Sequence, residues 1–446
     1  MNRSWRYALL SLRDMAVSMG PLLLVTLGLL GLAYWWLQPT PPRHVVLATG
    51  PEQSAYERFG QAYAQALAPY GIEVRLRTTG GAADNLALLR AGEVDLGFVR
   101  GGSGQLDNSL DLQSLGNLFV EPLWLFYRAD AAQRLNGQRT VDRLADLRGW
   151  RVHVGTDGSG VPALFQQLLA ANGIPAQQLH LDKQEQTPAT VAFLQGQLDA
   201  VVFASAPEAV MVQMLLQTPG VRLMPFEQGQ AYSRRFDFLT PVVLPQGVVD
   251  LAHNRPPRNT PLIASTTSLL ALADTHPAVV QLMAQTARQL HSPTGWFNRA
   301  REYPNLAHAE VPVGKEAERA LMNGPPWLQR YLPFWLANLI ERMWLSLGLI
   351  LALALPLSRV VPPLYTLRVR SRVYRWYAEL RGIEEEATQG TLDRAGLLER
   401  LDKLDRHAES IQVPLSYTDE LYALRDHINQ VRQRLERQPH TTKATP

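Results

Sequence analysis

Residues 78–102 read TTGGAADNLALLRAGEVDLGFVRGG. The double glycine predicts a tight turn, the apolar spacing of AADNLALLRAG predicts a helix, and VDLGFV predicts a buried strand that runs into Arg100. Upstream, HVVLATG and IEVRLRT have the pattern of strands and flank a helical pattern in SAYERFGQAYAQALAPYG. Strands that alternate with helices predict an α/β fold whose parallel sheet is covered on both faces.

A second stretch, RVHVGTDGSGVPALFQQLLAANGI at residues 151–174, repeats this order of strand, glycine-rich turn and helix. LDAVVFAS and VRLMPF predict further strands. Two such sheets predict two lobes that face a cleft, and open parallel sheets bind ligands at the carboxyl ends of their strands, beside helix N-termini. We therefore expect a small carboxylate between the two glycine turns. The alternative is that each turn only connects a strand to a helix.

The composition bears on the partners of the chain. Its 446 residues include 43 Lys and Arg against 40 Asp and Glu, a formal charge of +3, which is too small to indicate a nucleic-acid partner. The apolar share of 46% is enough for a large core. There is no cysteine, which rules out disulfides and thiolate metal sites but does not indicate a compartment.

Motifs that would indicate catalysis are missing from the sequence. GTDGSGVP lacks the lysine of a P-loop and the spacing of a dinucleotide-binding turn, and no G-x-S-x-G or H-E-x-x-H occurs. The ten histidines are scattered singly, and each is interpreted as a surface or satisfied core residue. Asp95 and Asp199 are interpreted as structural residues at strand starts, not as a catalytic pair. We therefore predict no catalytic residue, no metal site and no cofactor.

An uncharged apolar stretch predicts a transmembrane helix at residues 17–37, after a cytoplasmic N-terminus at 1–16. Arginines precede it and aromatic residues close it, which indicates a cytoplasmic start. These residues are Arg3, Arg6 and Arg13, then Tyr34, Trp35 and Trp36. A cleaved signal peptide is the alternative, but bulky YWWLQPTPP follows where small residues would be needed.

A second transmembrane helix is predicted at residues 334–358, with Glu341 and Arg342 near its outer end. The arginines that follow it indicate that the chain returns to the cytoplasm. They are Arg359, Arg368, Arg370, Arg372 and Arg375. Both termini are then cytoplasmic, and residues 43–325 form the domain outside. The alternative is a buried amphipathic helix of that domain.

The remaining C-terminal segment is predicted to be a cytoplasmic helical hairpin over residues 366–438, followed by a disordered tail at 439–446. Apolar residues recur at three- and four-residue spacing in AGLLERLDKLDRHAESI and again after VPLSYTDE. The hairpin is either a solvated helical pair or a coiled coil that binds a partner or a second copy.

Several phrases, taken in order along the chain, resemble the TAXI-type solute-binding subunits of TRAP transporters. These are LATGPEQSAYERFGQAYAQAL, TTGGAADNLALLRAGEVDLGFV, EPLWLFYR, LRGWRVHVGTDGSG and LQGQLDAVVFASAPEAV. GPPWLQRYLPFWLANLIERM resembles the tail of membrane-tethered members. The resemblance implies a type II periplasmic-binding-protein fold of two lobes that close on a small carboxylate. It also implies a periplasmic domain at the bacterial inner membrane.

The resemblance assigns ligand contacts to Tyr56, to Gly81 and Asn85, and to a loop in the second lobe. The loop residues are Thr156, Gly158 and Ser159. Gly80 joins them because the turn approaches the ligand closely, and Arg100 because it ends the strand beside the turn. Two positions depart from the family pattern: Gly81 stands in place of the usual serine, and Arg100 in place of a glutamine. Arg100 either clamps a carboxylate, pairs with Asp107 or Asp111, or points to solvent.

The leading hypothesis from the sequence is a non-enzymatic, membrane-anchored binding protein for a small anionic solute, with a TRAP permease as partner. A tethered sensor or scaffold, which signals through the C-terminal hairpin to a cytoplasmic partner, is the alternative. An envelope hydrolase ranks third because no nucleophile and base stand at a recognisable spacing.

Overall fold

A computed structural model describes residues 20, 22–37, 40–104, 111–137, 140–307, 309–389, 393–410 and 418–437. The chain divides into two compact units. One is Thr40–Asn338, and the other combines Met1–Pro39 with Leu339–Pro446.

The ten strands of the described residues all lie in Thr40–Asn338. They are β1 His44–Ala48, β2 Glu73–Arg77, β3 Leu96–Arg100, β4 Leu112–Arg128, β5 Arg151–His153, β6 His180–Asp182, β7 Ala200–Ala204, β8 Val221–Leu223, β9 Leu239–Leu244 and β10 Thr260–Leu272. The helices of this unit begin after β1. They are α2 Ala55–Leu67, α3 Ala82–Arg90, α4 Ala129–Asn136, α5 Val161–Ala171, α6 Gln186–Leu194, α7 Val210–Gln217, α8 Gly229–Arg235, α9 Pro277–His291 and α10 Lys315–Asn323.

The sheet has the strand order β2-β1-β3-β10-β4-β7-β5-β6, with β8 beside β4 and β9 beside β10. Strands β1 to β3 are mutually parallel, as are β5 to β7. The expectation of two separate parallel sheets is wrong, because the long strands β4 and β10 run antiparallel to their neighbours and join both halves. Strand β4 pairs with β10 along its first part and with β7 over Leu123–Tyr127.

Two lobes result, each with its own core. Lobe 1 contains β1 to β3 with α2, α3 and α9, and its core includes Tyr63 and Phe98. Lobe 2 contains β5 to β8 with α5 to α8, and its core includes Trp150 and Phe165. All four side chains are fully buried. The α/β fold of two lobes expected from the sequence is therefore present, with β4 and β10 as the strands that cross between the lobes.

An aspartate at a corresponding place in each lobe binds a neighbouring strand through hydrogen bonds. The Asp95 carboxylate accepts a hydrogen bond of 2.7 Å from the Val46 N–H in lobe 1. In lobe 2 the Asp199 carboxylate accepts hydrogen bonds from the backbone and guanidinium N–H groups of Arg151, at 2.9 to 3.0 Å. Both aspartates thus hold the beginning of a neighbouring strand, which agrees with the structural role interpreted from the sequence.

The apolar segments at both ends of the domain are helical. Helix α1, Leu22–Leu37, is a short apolar helix, whereas α11, Phe334–Ser358, is the one helix of the described residues that is long and apolar enough to cross a bilayer. Their aromatic and leucine side chains are largely exposed, as in Trp36 and Trp344. Residues 17–19 and 21 of the expected first span lie outside the described residues, as do residues 1–16 with their arginines. The arrangement with two spans therefore stays a prediction.

Three C-terminal helices follow: α12 Val361–Gln389, α13 Arg394–Ser410 and α14 Thr418–Arg437. The expected hairpin over 366–438 was incomplete, because Leu380 and Ile383 of α12 share one buried core with apolar residues of α13 and α14. Helices α13 and α14 are antiparallel, as two ion pairs between them show: Asp405 lies 3.3 Å from Arg425, and Asp402 lies 2.8 Å from Arg432. The predicted tail at 439–446 lies outside the described residues.

Candidate functional site

A cleft of about 790 Å³ lies between the lobes. Loops at the carboxyl ends of the parallel strands of both lobes form its walls, which is where open α/β sheets bind ligands. The polar and aromatic groups that line it include Gln53, Thr79, His153, Thr156, Gln186 and Phe203. Apolar side chains such as Val202 and Met211 also line it, so the cleft suits a small ligand with both polar and apolar groups.

The two glycine turns meet directly at one end of this cleft. A Cβ atom on Gly80 would lie 3.1 Å from Gly158 Cα, and one on Gly81 would lie 3.0 Å from Ser159 Cα. Gly81 also has a positive φ of 131°. The sequence correctly indicated a close approach of the backbone at these glycines, but here the group approached is the opposite turn.

The carboxylate that lies between the turns belongs to the chain itself. Asp84 Oδ2 accepts a hydrogen bond of 2.9 Å from the Gly80 N–H, and a Cβ atom on Gly158 would overlap the Asp84 carboxylate. The Gly81 N–H donates to Thr79 Oγ1 at 3.2 Å. The sequence prediction placed the ligand carboxylate in this gap, and the structure corrects it, because Asp84 at the first turn of α3 fills the gap.

Crowding at the turns can be tested by substitution. Gly158→Ala is expected to destabilise the contact between the lobes by roughly 1–3 kcal/mol, because the new methyl group overlaps the Asp84 carboxylate. Chemical denaturation measures the loss. The matched control is Gly158→Ala combined with Asp84→Ala, which removes the overlapping group and should restore most of the stability. Additive losses in the double variant would contradict this contact.

Asn85 is fully buried and holds the first turn in place. Its side-chain N–H groups donate to the carbonyl oxygens of Thr49 and Phe98 at 2.5 and 2.8 Å, and its Oδ1 accepts from Thr79 Oγ1 at 2.6 Å. The side chain thereby ties the ends of β1 and β3 to the turn. With these bonds formed, Asn85 supports the site from behind and has no donor left for a ligand.

The glycine-rich loop of lobe 2 forms hydrogen bonds within itself and to the start of helix α5. Ser159 Oγ donates to the Thr156 carbonyl at 2.6 Å and accepts from the Val161 N–H at 3.2 Å. Helix α5 begins only at Val161, after Gly160 in the left-handed region. Thr156 and Ser159 line the cleft, whereas Gly158 faces Asp84, and the ligand contacts expected of all three stay a prediction.

Arg100 lies behind the Ser159–Gly160 turn and is only 2% exposed. Its Nη2 donates to the Ser159 carbonyl at 3.5 Å, and its Nε has no hydrogen-bond partner among the described residues. The alternative in which Arg100 points to solvent is wrong. No ion pair joins it to Asp111 or to any other carboxylate that the structure describes, and Asp107 lies outside the described residues. Arg100 is therefore a buried cation at the contact between the lobes.

Behind Arg100 lies a buried polar cluster, made of Tyr56, Glu121 and Thr267. Tyr56 Oη and Thr267 Oγ1 are 3.3 Å apart, and the Tyr56 ring stacks on Phe98 with centroids 5.3 Å apart. Burial raises the pKa of Glu121 to about 7, although Arg100 and the hydroxyls of Tyr56 and Thr267 act to lower it. Burial also raises the pKa of Tyr56. Sequence reasoning missed Glu121 and Thr267; the only signal was one acid in the apolar run LFVEPLWLFY.

His153 is the other residue that sequence reasoning missed. Its side chain is fully buried, its Nδ1 lies 3.1 Å from Asp182 Oδ2, and its Nε2 finds no partner in the described part of the chain. Burial lowers the pKa of His153, and Asp182 acts in the opposite direction. The interpretation as a satisfied core histidine is wrong, because one ring nitrogen of a residue that lines the cleft remains unpaired.

Within the described ranges, no group of three or more His, Asp or Glu residues could hold a metal ion. In this structure Arg100 lines a second, smaller cavity rather than the cleft, together with Asn117, Asp237 and Glu310.

Residues 47–289, more than half of the chain, match the NMT1-like family. The chain belongs to the NMT1-like family. Membership gives the domain a periplasmic-binding-protein-like α/β fold of type II. This agrees with the fold class expected from the sequence, at the level of the fold.

Many solved structures match the chain, and the three described here do so at low identity. The alkanesulfonate-binding protein SsuA from Xanthomonas axonopodis pv. citri, bound to MOPS, is 16% identical, covers 56% of this chain and 73% of its own, and has a TM-score of 0.36. The periplasmic aliphatic sulphonate binding protein SsuA from Escherichia coli is 15% identical over 70% and 83%, with a TM-score of 0.34.

The third is the CcmR regulatory domain from Synechocystis PCC6803 in complex with 2-PG. It is 14% identical over 56% of this chain and 98% of its own, with a TM-score of 0.38. Because all three TM-scores are low, the family assignment rests on the sequence match alone.

Proposed function

We propose that this member of the NMT1-like family is a non-enzymatic, membrane-anchored periplasmic binding protein of TAXI type for a small anionic solute. Arg100 is the observation that carries the proposal. A buried guanidinium is costly unless an anion pairs with it, yet Arg100 has one long hydrogen bond and no contact carboxylate among the described residues. An anionic ligand would supply the missing partner.

In the proposed binding cycle, the two lobes separate to admit the ligand and then close around it. When the lobes separate, the Ser159–Gly160 turn moves away from Arg100, and the guanidinium becomes part of the cleft. A planar guanidinium can hold a carboxylate with two parallel hydrogen bonds, which are stronger than those between neutral groups. Thr156 and Ser159 then close over the ligand from lobe 2. Tyr56 and Glu121 lie behind Arg100 and interact with it electrostatically, and Asn85 keeps the first turn in place.

A thermal-shift screen of the full chain in detergent tests the proposal. The screen uses a panel of small carboxylates, with neutral amides of the same shape as the matched controls. A carboxylate present at about 100 times its dissociation constant should stabilise the folded chain by roughly 2.7 kcal/mol, because it binds only the folded state. An absence of any shift across the carboxylates, or equal shifts with the amides, would contradict anion binding.

The proposal includes a membrane topology. Helices at 17–37 and 334–358 span the inner membrane, residues 43–325 lie in the periplasm, and both termini lie in the cytoplasm. Reporters fused after Leu37 and near Gly314 are therefore expected to read periplasmic. Those fused after Arg375 and at Pro446 are expected to read cytoplasmic, because arginines flank the inner end of each apolar helix. A periplasmic reading at Pro446 would overturn this topology.

The C-terminal bundle favours a second candidate function, a tethered sensor or scaffold. Helices α12 to α14 have their own buried core, which includes Leu401, Leu424 and Ile428, so the segment is a folded module and could bind a cytoplasmic partner. Deletion of residues 390–446 distinguishes the candidates. Delivery to a TRAP permease predicts that solute uptake persists, whereas the sensor predicts that uptake never depends on the chain and that a cytoplasmic response is lost.

A further inference from the structure

His153 is the buried polar group of the cleft that the proposed anion site does not use. It ends strand β5, its side chain is fully buried, and it lines the cleft together with Phe203, whose ring centroid lies 6.0 Å away. Its Nε2 is buried and meets no hydrogen-bonding group of the described residues. A buried polar atom without a partner is rare, and at the wall of a binding cleft a group of the ligand can supply the partner.

The position of the ring proton follows from the neighbour of His153. Asp182 Oδ2 lies 3.1 Å from Nδ1 and also accepts from the Gln184 N–H at 3.5 Å. An ionised carboxylate only accepts hydrogen bonds, so Nδ1 must carry the proton. Burial lowers the pKa of His153, which keeps the ring neutral at pH 7. The neutral ring therefore presents a lone pair at Nε2, and that lone pair can only accept.

We propose that His153 Nε2 accepts a hydrogen bond from the bound solute, so that the solute is an anion that also carries an N–H or O–H donor. Amino and hydroxy carboxylates have this chemistry, whereas plain alkyl carboxylates lack the donor. This inference rests on the proposed function, since it concerns a second feature of the same ligand. Asp182 is the positioning residue, because it fixes the ring orientation and the tautomer.

Matched ligand pairs test the inference on the full chain in detergent. Malate is compared with succinate, and glutamate with glutarate, by calorimetric titration. In the wild type, the member with the donor should bind at least about tenfold more tightly in one pair, because the parent acid leaves Nε2 unpaired. In His153→Phe the preference within that pair should fall below about threefold, with the parent acid still bound. His253→Phe is the control, since the His253 side chain is 71% exposed.

The possible outcomes distinguish a failure of the His153 inference from a failure of the proposed anion-binding function. Equal affinities within each pair in the wild type, or a preference that survives in His153→Phe, would overturn the role of His153 and leave the anion site standing. If no member of any pair binds, the proposed function fails and the inference falls with it. A second measurement covers a variant that does not fold: in ¹⁵N spectra of the wild type, the His153 Nε2 resonance should shift with malate and not with succinate. No difference between the two would also overturn the inference.

Discussion

Replacing Arg100 by alanine is expected to weaken the binding of a small carboxylate by about thirtyfold, on the order of 2 kcal/mol. The guanidinium is 2% exposed and interacts electrostatically with Glu121, but it has no carboxylate at contact distance in the described structure, so a bound carboxylate would be its closest counter-ion. The unliganded domain should lose little stability, because the substitution removes a buried charge along with its one long hydrogen bond. Calorimetric titration with a carboxylate identified by the thermal-shift screen measures the effect.

Two control variants sharpen this result. Arg75→Ala removes an arginine whose side chain is 56% exposed and pairs with Glu73 on β2, so it should leave the affinity unchanged. Arg100→Lys keeps the charge but loses the planar pair of donors, and it should fall between the wild type and alanine. Unchanged affinity in Arg100→Ala, together with a lowered melting temperature, would assign Arg100 to the fold and contradict its role in binding.

Glu121→Gln is expected to abolish a pH dependence of stability worth about 3 kcal/mol. Burial raises the pKa of Glu121 from 4.5 to about 7, so the folded chain retains a proton that the unfolded chain releases. The resulting stability is fully present below pH 4.5 and is lost as the pH rises through 7. Between pH 4.5 and 8 the wild type should therefore lose about 3 kcal/mol relative to the glutamine variant.

Denaturation midpoints at several pH values test this difference. His291, whose pKa is lowered to about 3 by burial, acts with the opposite sign, since its contribution is lost as the pH falls below 6.5. His291 is present in both proteins, so subtracting the two curves isolates Glu121. Parallel curves across this range would show that Glu121 is not a buried acid of raised pKa.

The sequence located the elements around the first glycine turn well. Helix α3 and strand β3 lie where the apolar spacing predicted them, because each has a regular pattern of buried residues and is bounded by a glycine. The long strand β4 was missed because it is buried on both faces, and its residues LQSLGNLFVEPLWLFYR therefore show no alternation. Helix α12 of the C-terminal bundle was missed because its buried residues Leu380 and Ile383 lie in a polar stretch of the sequence.

The candidate site was predictable in position but not in its contacts. Glycine turns follow from local conformation, so Gly80, Gly81 and Gly158 were found where chains approach closely. Which group they approach depends on how the lobes pack, and Asp84 fills a gap that a turn pattern cannot reveal. Glu121 and His153 owe their shifted pKa values to burial, which Arg100 and Asp182 oppose, so no local motif marks them.

A crystal structure of the chain with the carboxylate that binds best tests the central claim most directly. We expect the ligand in the cleft between the lobes, with both carboxylate oxygens about 2.8 Å from the Arg100 guanidinium, as in charge-assisted pairs. Thr156 and Ser159 should close over it from lobe 2. A ligand bound outside the cleft, or one held in the cleft with Arg100 still buried behind Ser159, would contradict the account.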